Sequence, residues 1–492
     1  MRAALDKAVA ENRELRETIE TLREENKALR EADATRTEQL DSLAAKIAGL
    51  ERKLGQNSSN SSLPPSSDRG PRQPKPESPN RAARRALGRK PGKQPGSPGH
   101  HLAQVEHPDH VEVHAPPCCG SCGGDLGAAA VTAVEKRQVF DLPEPRLEST
   151  EHQAETRLCR CGTTTKADFP PEARAYACYG SRVRANALYL MSRQHVPFER
   201  ATEAMRDLFG VDVSTGFLDR LYSEGAAGLE AFLAAVTEQL RVADVVHVDE
   251  TSDRLGKKSV WYHVACTELL TLLHADVTRG YDGIERTGLF PGFSGVVVHD
   301  RLDWYFSYGN ATHAVCGAHL VRNLKSVGVV KSQQEWATAM TELLLEMKKA
   351  AEAAREKGRK AVYWRDLKAY MKRYDKICAA ALAANPQAAS GRKRNEVERE
   401  SFNLATAFTT LKDEICLYAK DLRVPFTNNI AERDLRMAKI HRKVSSCFRS
   451  LEGAERLGAV RSYISTAMKQ GLDPMAVLVR LFAGDAWIPQ RA

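Results

Sequence analysis

The chain has 492 residues and a mass of 54.4 kDa, too long for one compact core, and its length suggests about three domains. Hydrophobic residues make up 42% and charged residues 27%, as in ordinary globular proteins, and no window approaches the ~18 consecutive apolar residues of a membrane-spanning helix. The net charge is +9, and most of this excess lies in residues 55–104, which hold nine Lys and Arg against two acidic residues.

The N-terminus and the cysteines indicate the compartment. Met1 and Arg2 lead into a charged, Glu-rich segment without an apolar stretch, so no secretory signal is predicted and we expect a cytoplasmic protein. The eleven cysteines are unevenly spread. In a reducing compartment, clustered cysteines bind metal more often than they form disulfides.

Residues 1–54 are predicted to form a coiled coil, because a heptad repeat runs without a break from residue 5 to residue 54. Asn12 and Asn26 occupy a positions, where two buried amides pair in a parallel, in-register dimer. Asp33 and Arg36 interrupt the apolar seam. A single amphipathic helix packed against its own chain is the alternative.

Residues 55–104 are basic and rich in Ser, Pro and Gly, a composition typical of an extended tether without a core. Their basic side chains could neutralise DNA phosphates without reading bases, and a solvated flexible linker is the alternative. The candidate phosphate contacts are Arg84, Arg85, Arg89 and Lys90.

Residues 105–180 contain two cysteine pairs that predict a zinc ribbon. Cys119 and Cys122 form a CxxC, Cys159 and Cys161 form a CxC, and glycine follows each pair. Four thiolates on two glycine-containing turns are the ligand set of one structural Zn²⁺. Unliganded buried cysteines are the alternative. Three further residues could replace one of the ligands: Cys118, Cys178 and His114.

Residues 181–242 are predicted to be helical. Two helical stretches flank Gly210, and Ser214 is suited to cap the second. The arrangement resembles a helix-turn-helix, whose second helix would enter a DNA major groove. An ordinary helical hairpin is the alternative.

Residues 243–470 are predicted to form an α/β core. From Val245 onward come three β-branched apolar runs, a short helix near residues 280–288 and a fourth run. Residues 331–422 are rich in Ala, Leu, Glu and Lys and predict a helical insertion. A long helix is expected after Asn428, and residues 471–492 are expected to hold a last helix from near Pro474.

Three acidic residues in this core are candidate metal ligands. Asp249 is predicted to end the first strand and Asp300 the fourth, and Glu432 lies near the start of a helix. Carboxylates are the ligands that Mg²⁺ prefers, and two such ions ~4 Å apart can hold both oxygens of an in-line phosphoryl transfer. For each residue alone, a capping or solvated acid is the alternative.

Basic residues continue along the helix that carries Glu432. Arg436 and Lys439 follow four and seven positions later and share its face, and Arg442 and Lys443 extend the stripe. We expect them to bind phosphates beside the scissile one, whereas a solvated charged face is the alternative.

Cys316 and His319 form a CxxH segment. Two further zinc ligands are missing nearby, so a separate zinc site is not expected. His319 could contact a DNA strand or brace Asp300, and a packed helix start is the alternative.

Several segments together point to a known family. "GQNSSNSSLPPSSD", "CGSCGGDL", "CRCG", "YGSRVRANALYL", "VHVDET", "CGAHLVRNLK" and "NNIAERDLR" closely resemble, in the same order, the transposases of the bacterial insertion sequence 66 family. The resemblance implies an RNase H-like fold with a helical insertion and a DDE active site formed by Asp249, Asp300 and Glu432. The match around Asp300 is looser, so Asp303 is an alternative for the second acid.

The resemblance implies a DNA transposase that cuts element ends to leave 3′-hydroxyls and joins them to target DNA, using two Mg²⁺ (or Mn²⁺) ions. We expect a homodimer or higher oligomer formed through the coiled coil, element-end and target DNA as partners, accessory proteins of the same element, and a place at the bacterial nucleoid. A catalytically silent, transposase-derived DNA-binding regulator is the alternative. A junction or repair nuclease on the same fold would explain neither the coiled coil nor the tether.

Overall fold

A computed structural model describes residues 18–33, 36, 102–387 and 394–490. The chain divides into two compact units, one spanning Pro71–Glu148 and a larger one that includes Ser149–Ala492. The basic tether residues Arg84, Arg85, Arg89 and Lys90 lie outside the described residues. None of the helices in the described part of the chain combines the length and the apolarity that crossing a bilayer requires.

Residues 18–33 form a helix, as the heptad repeat predicts. Ile19, at an a position, and Leu22 and Leu29, at d positions, are 48%, 56% and 68% exposed. This part of the apolar seam therefore faces solvent. The expectation that it pairs with a second copy stays a prediction, and Asn12 lies outside the described residues.

The smaller unit is irregular where the structure describes it, with no helix or strand element between residues 102 and 148. The stretch 136–142 is not a strand. A glutamine holds it instead: the Gln138 side chain accepts a hydrogen bond from the Val105 amide and donates one to the Val105 carbonyl, both at 2.8 Å. Hydrogen bonds made by this side chain thus take the place of the backbone hydrogen bonds that a pair of strands would form.

The larger unit begins with a short antiparallel hairpin, β1 (Thr156–Leu158) and β2 (Thr164–Lys166). Four helices follow, as predicted for residues 181–242. Gly210 ends the second of them in the left-handed conformation, and the Ser214 hydroxyl caps the third by accepting a hydrogen bond from the Phe217 amide. The helices are α1 (Ser181–Ser192), α2 (Phe198–Phe209), α3 (Thr215–Ala227) and α4 (Glu230–Arg241).

A mixed five-stranded sheet forms the centre of the larger unit, with strand order β5-β4-β3-β6-β7. β3, β4 and β5 are antiparallel neighbours, whereas β6 runs parallel to both β3 and β7. β7 was not anticipated, because its sequence THAV lacks the β-branched apolar run that marks the equally short β6. The elements are β3 (Val245–Leu255), β4 (Lys258–Cys266), β5 (Thr271–Asp276), α5 (Tyr281–Glu285), β6 (Val296–His299) and β7 (Thr312–Val315).

The predicted helical insertion follows the sheet, and its Met340, Leu344 and Phe408 belong to a second hydrophobic core that includes Val298 and Val315 of the sheet. The helix that ends at Ala384 is followed by Asn385 and Pro386, and proline cannot continue a helix at this point. The helices are α6 (Gly317–Val327), α7 (Gln334–Glu356), α8 (Trp364–Ala384), α9 (Glu396–Thr410) and α10 (Lys412–Lys420).

Three helices complete the chain: α11 (Asn429–Val444), α12 (Leu451–Lys469) and α13 (Pro474–Phe482). α12 covers the edge strand β5. Its Ser462 and Thr466 hydroxyls accept hydrogen bonds from the amides of Leu273 and Thr271, at 2.8 and 3.0 Å. At Gly458 a β-carbon would lie 2.6 Å from the Leu273 carbonyl oxygen, so glycine permits this close approach. α12 thereby satisfies backbone groups that an open sheet edge would expose.

The helices of residues 181–242 share one hydrophobic core with the sheet and with α11, α12 and α13. Leu188 of α1, Val248 of β3, Leu435 of α11 and Leu478 of α13 all belong to it. The Arg184 guanidinium of α1 also lies over the ring of Phe482, 4.2 Å from its centre. These helices are therefore packed onto the sheet and support it directly.

Candidate active site

The parallel register of β3 and β6 positions the two predicted aspartates. His247 and Val298 are the last paired residues, and Asp249 and Asp300 each follow two positions later. Equal steps along parallel strands end at the same level, so both aspartates lie at one edge of this strand pair. The expectation that Asp249 ends its strand is wrong, because β3 continues to Leu255 in its hairpin with β4. Beside Asp249, only the hydrogen-bonded pairing between β3 and β6 ends.

Asp249 and Asp300 form a pair of like charges, with Lys439 acting on Asp249 and Arg301 acting on Asp300. Burial, followed by the charges of Asp300 and Glu250, raises the pKa of Asp249 well above its ordinary value. Oδ1 of Asp300 is buried and has no hydrogen-bond partner among the described residues. The alternative acid Asp303 is exposed at the start of a 3₁₀ turn. A bound cation would relieve the repulsion at Asp249 and Asp300.

Glu432 lies in the first turn of α11 and is held from α6. Nη2 of Arg322 donates a hydrogen bond to Glu432 Oε1 at 3.1 Å, and Nδ1 of His319 lies 3.6 Å from the same oxygen. Burial and the nearby Arg322 lower the pKa of His319, whereas the charges of Asp300 and Glu432 act in the opposite direction. His319 thus lies within electrostatic reach of both acids.

A second group of potential metal ligands shares Glu432 with the three predicted acids. Among the described residues, the group of three whose ligand atoms all lie within 4.8 Å of one another is Cys316, His319 and Glu432. Asp249, Asp300 and Glu432 do not form such a group. Cys316 is buried, and burial raises the pKa of its thiol. A neutral thiol is a poor metal ligand, so Cys316 is better suited to packing than to coordination.

Asn428 joins the strand that carries Asp249 to the helix that carries Glu432. Its side chain donates to the Val248 carbonyl at 2.7 Å and bonds to Nδ1 of His247 at 2.8 Å. Its backbone amide donates a hydrogen bond to the Cys316 sulfur at 3.2 Å, and its backbone carbonyl accepts one from the Glu432 amide at 3.2 Å. Asn428 is fully buried. Sequence reasoning treated this residue only as a helix boundary, although it lies in the "NNIAER" segment.

A fourth carboxylate, Glu250, adjoins the pair. Its side chain is 1% exposed and accepts hydrogen bonds from Nε and Nη2 of Arg279, at 3.1 and 2.7 Å, and from the Tyr305 hydroxyl at 3.2 Å. Burial and the charge of Asp300 raise the pKa of Glu250, which its bonds to Arg279 partly offset. Sequence reasoning missed Glu250, whose position directly after Asp249 in "VHVDET" was the available signal.

The predicted basic stripe is exposed along α11. Lys439 lies close enough to Asp249 for its charge to lower the pKa of that carboxyl, against the larger effect of burial. Arg436, Arg442 and Lys443 are also exposed. The structure brings Lys439 to the acidic site and places the other three along the same helix.

The two cysteine pairs lie on similar turns, one in each compact unit. The Cys119 carbonyl accepts a hydrogen bond from the Gly123 amide, and the Cys159 carbonyl accepts one from Gly162, both at 2.9 Å. Both glycines have positive φ, as such tight turns require. Hydrogen bonds to Cys122 and Ser121 lower the pKa of Cys119, and those to Thr163 lower the pKa of Cys161 to about 7. That the four thiols share one zinc ion stays a prediction.

Comparison with known sequences identifies the family. The sequence model of the Transposase IS66 family matches residues 177–456, more than half of the chain. The chain belongs to the IS66 transposase family. The match includes all three predicted acids, and membership makes the protein a transposase that acts on DNA. A second model, for a family of unknown function (DUF6444), matches residues 5–103.

A curated relative extends the likeness over most of the chain. The transposase is 22% identical over 417 residues to the Uncharacterized protein y4hP of Sinorhizobium fredii, and this covers 76% of the chain and 72% of that protein. Its name adds no biochemical information. The roles of the three acidic residues are therefore inferred from their geometry in this structure.

Proposed function

We propose that this transposase is a DDE enzyme that cuts the ends of its element to leave 3′-hydroxyls and joins them to target DNA. The observation that carries the proposal is the pair of aspartates placed at one level by the parallel register of β3 and β6, with Asp249 buried against the charge of Asp300. The mixed sheet followed by a helical insertion supports an RNase H-like core.

The acidic site fits two divalent cations, Mg²⁺ or Mn²⁺. Asp300 has a buried carboxylate oxygen without a hydrogen-bond partner among the described residues, and Asp249 carries a carboxyl whose charged form is disfavoured by its surroundings. Both properties suit oxygen ligands that await a hard cation. Asp249, Asp300 and Glu432 would hold the ions, which when bound supply an activated water and stabilise charge on the phosphoryl oxygens.

The chain's own residues would align the DNA and the carboxylates. Arg322 and His319 hold Glu432 at the start of α11, and Asn428 joins that helix to β3. Lys439 lies beside Asp249 and is suited to neutralise a phosphate next to the scissile one. Arg436, Arg442 and Lys443 extend this cationic surface along the same helix, where duplex DNA would lie.

The remaining parts would bring two element ends together. The solvent-facing seam of residues 18–33 supports a parallel dimer through residues 1–54. We assign terminal DNA binding to the predicted zinc ribbon of residues 105–180, with one Zn²⁺ on Cys119, Cys122, Cys159 and Cys161, and to the helix-turn-helix-like residues 181–242. The basic tether would add contacts to phosphates, and accessory proteins of the element would complete the assembly.

The experiment is a cleavage and joining assay. The full chain is incubated with a plasmid that carries both element ends, in Mg²⁺, in Mn²⁺ or in EDTA. We expect metal-dependent nicks with 3′-hydroxyls at the ends and joined products. Asp249→Asn should abolish both while end binding persists, and Asp303→Asn, a matched change at an exposed aspartate nearby, should leave both intact.

Two outcomes would count against the proposal. End binding without cleavage in either metal would favour a DNA-binding regulator. Cleavage without any joined product would favour a nuclease on the same scaffold.

A further inference from the structure

A second group of buried polar side chains lies where the α1–α2 connection meets α3, α11 and α12. It consists of Arg193 and His195 from the connection, Tyr222 of α3, His441 of α11 and Arg461 of α12, and we call it the cationic cluster. The rings of His195 and His441 meet edge to face with centres 5.8 Å apart. Arg461 acts electrostatically on His195 and on Tyr222, and Arg193 acts on both His195 and Arg461. The five side chains therefore share one small region.

The cluster is deeply buried. Arg461 is 6% exposed and His195 is 2% exposed. Protein interiors rarely contain guanidinium groups unless a counter-ion or several hydrogen bonds compensate for the lost water. Arg461 therefore needs a partner.

The described residues do not supply enough partners. Nε and Nη1 of Arg461, Nε of Arg193, the Tyr222 hydroxyl and both ring nitrogens of His195 are buried and make no hydrogen bond to any described residue. Most of these atoms are donors. Buried polar atoms are nearly always satisfied, so a concentration of unsatisfied donors indicates a missing acceptor.

The charge balance of the cluster is positive. Arg193 lies close enough to Arg461 for its charge to lower the pKa of that guanidinium, whereas Arg456, near Tyr222, is paired with Asp219 and Glu452. The carboxylate of Asp253 offsets part of this charge, because its Oδ2 lies 3.5 Å from Nδ1 of His441 and makes no hydrogen bond to any described residue. Asp434 acts on Arg461 but forms a 2.6 Å ion pair with Lys469.

The effects on pKa agree with this balance. Burial and the charges of Arg461 and His441 lower the pKa of His195 to about 4, so its ring is neutral at physiological pH. Burial and the charge of Arg193 lower the pKa of Arg461 to about 10. Both effects disfavour additional positive charge within the cluster.

The backbone at the cluster is constrained. His195 has φ +57°, a left-handed conformation that non-glycine residues seldom adopt. The Ser445 hydroxyl at the end of α11 donates to the His195 carbonyl at 2.6 Å. Such strain persists where surrounding contacts impose it, often at ligand sites.

We propose that the cationic cluster binds a small oxyanion of the phosphate class. An oxyanion offers several acceptor oxygens and negative charge to the unsatisfied donors of Arg193, Arg461 and Tyr222, and guanidinium groups suit such oxygens geometrically. A metal ion does not fit, because the two guanidinium groups would repel it. The anion would fasten the α1–α2 connection to α11, the helix that carries Glu432. This inference does not depend on the DDE proposal.

The test is calorimetric titration of inorganic phosphate into the full chain at fixed ionic strength, with EDTA present so that no divalent cation links phosphate to the catalytic carboxylates. We expect saturable binding at one site, competition by sulfate and none by chloride. Phosphate should also raise the Tm, because a ligand of the folded state stabilises it.

Arginine variants locate the site. Arg193→Met, at the partly exposed rim, should weaken phosphate binding at least tenfold, and Arg461→Met should abolish it. Arg480→Met, at an exposed arginine paired with Asp485, is the matched control and should bind phosphate as the wild type does. If Arg461→Met fails to fold, Arg193→Met decides the test alone.

Two arms separate the sources of the phosphate group. If a short DNA duplex competes with inorganic phosphate, and Arg193→Met weakens both, the group belongs to the DNA backbone. If Arg193→Met loses phosphate binding but keeps duplex affinity, the ligand is a free ion, as the deep burial of Arg461 favours. No saturable phosphate binding by the wild type, or equal affinity in Arg193→Met and Arg480→Met, would overturn the proposal.

Discussion

The two aspartates and the glutamate of the candidate active site are positioned by different means. Asp249 and Asp300 take their places from the backbone, because each follows the last paired residue of two parallel strands. Glu432 lies on a helix and takes its place from side chains, namely Arg322 and His319 of α6 and Asn428 beside β3. One part of the site is set by register and the other by tertiary contacts.

This difference has an energetic counterpart. The aspartate pair is crowded, since burial and like charge raise the pKa of Asp249. Glu432 is compensated, since it accepts a hydrogen bond from Arg322. We therefore expect the aspartates to lower the stability of the metal-free fold and the contacts of Glu432 to control how easily the third carboxylate serves a metal.

The largest expected effect comes from removing a carboxylate charge in either region. Asp300→Asn and Glu432→Gln keep the side-chain shape but remove the charge that would hold a cation, and each should reduce strand cleavage by at least about a thousandfold. The measurement is the rate of nicking at an element end in saturating Mg²⁺. Full activity of Asp300→Asn together with loss of cleavage in Asp303→Asn would assign the role of the second acid to Asp303, in the 3₁₀ turn.

The same contrast explains which features the sequence could predict. The β-branched runs around "VHVDET" and "GVVVHD" indicate strands, so the local pattern alone places Asp300 at the end of one strand and Asp249 at the end of an apolar run within another. The helical character of residues 181–242, with Gly210 ending α2 and Ser214 capping α3, and the helical insertion were likewise predictable from local pattern.

Long-range contacts were not predictable in this way. The bonds from Asn428 to Val248 and His247 join residues about 180 positions apart, and nothing in the local sequence of either segment specifies them. β7 lacks the β-branched apolar run by which the equally short β6 was recognised. The continuation of β3 past Asp249 depends on its hairpin with β4, which an apolar pattern ending at Asp249 does not reveal.

The second prediction concerns Asn428, which joins the two regions. Asn428→Ala should lower the cleavage rate about 10–100-fold, the range typical of residues that orient metal ligands, with little change in DNA affinity. It should also raise the Mg²⁺ concentration needed for half-maximal rate. The neighbouring exposed Asn429→Ala is the matched control. A loss in Asn428→Ala that appears only as lower thermal stability, with normal Mg²⁺ dependence, would make Asn428 merely structural.

The third prediction concerns the ion pair at Glu432. The Arg322 guanidinium neutralises the carboxylate that a divalent cation would use, so Arg322→Met should lower the Mg²⁺ concentration for half-maximal cleavage. Because partly exposed ion pairs contribute about 0.2–1 kcal/mol, the shift should be about two- to fivefold. Lys325→Met, at an exposed position of the same helix, should have no effect. A lower maximal rate with an unchanged Mg²⁺ midpoint would instead assign Arg322 to the DNA.

The smallest effect should appear in stability. The folded-state pKa of Asp249 lies above that of an unfolded carboxyl, so this group stabilises the fold fully only below pH ~4, and that stability is lost as the pH rises through the folded pKa. Asp249→Asn removes the titration. In EDTA at neutral pH the variant should therefore unfold about 2–4 °C above the wild type, and the gap should close toward acid pH. Thermal denaturation at several pH values measures this, with Asp303→Asn as the control.

Mg²⁺ should raise the Tm of the wild type more than that of the variant, because the cation relieves the same repulsion. An Asp249→Asn protein less stable than the wild type at neutral pH would show that the aspartate charge is already compensated, and the contrast between a crowded pair and a compensated glutamate would no longer hold.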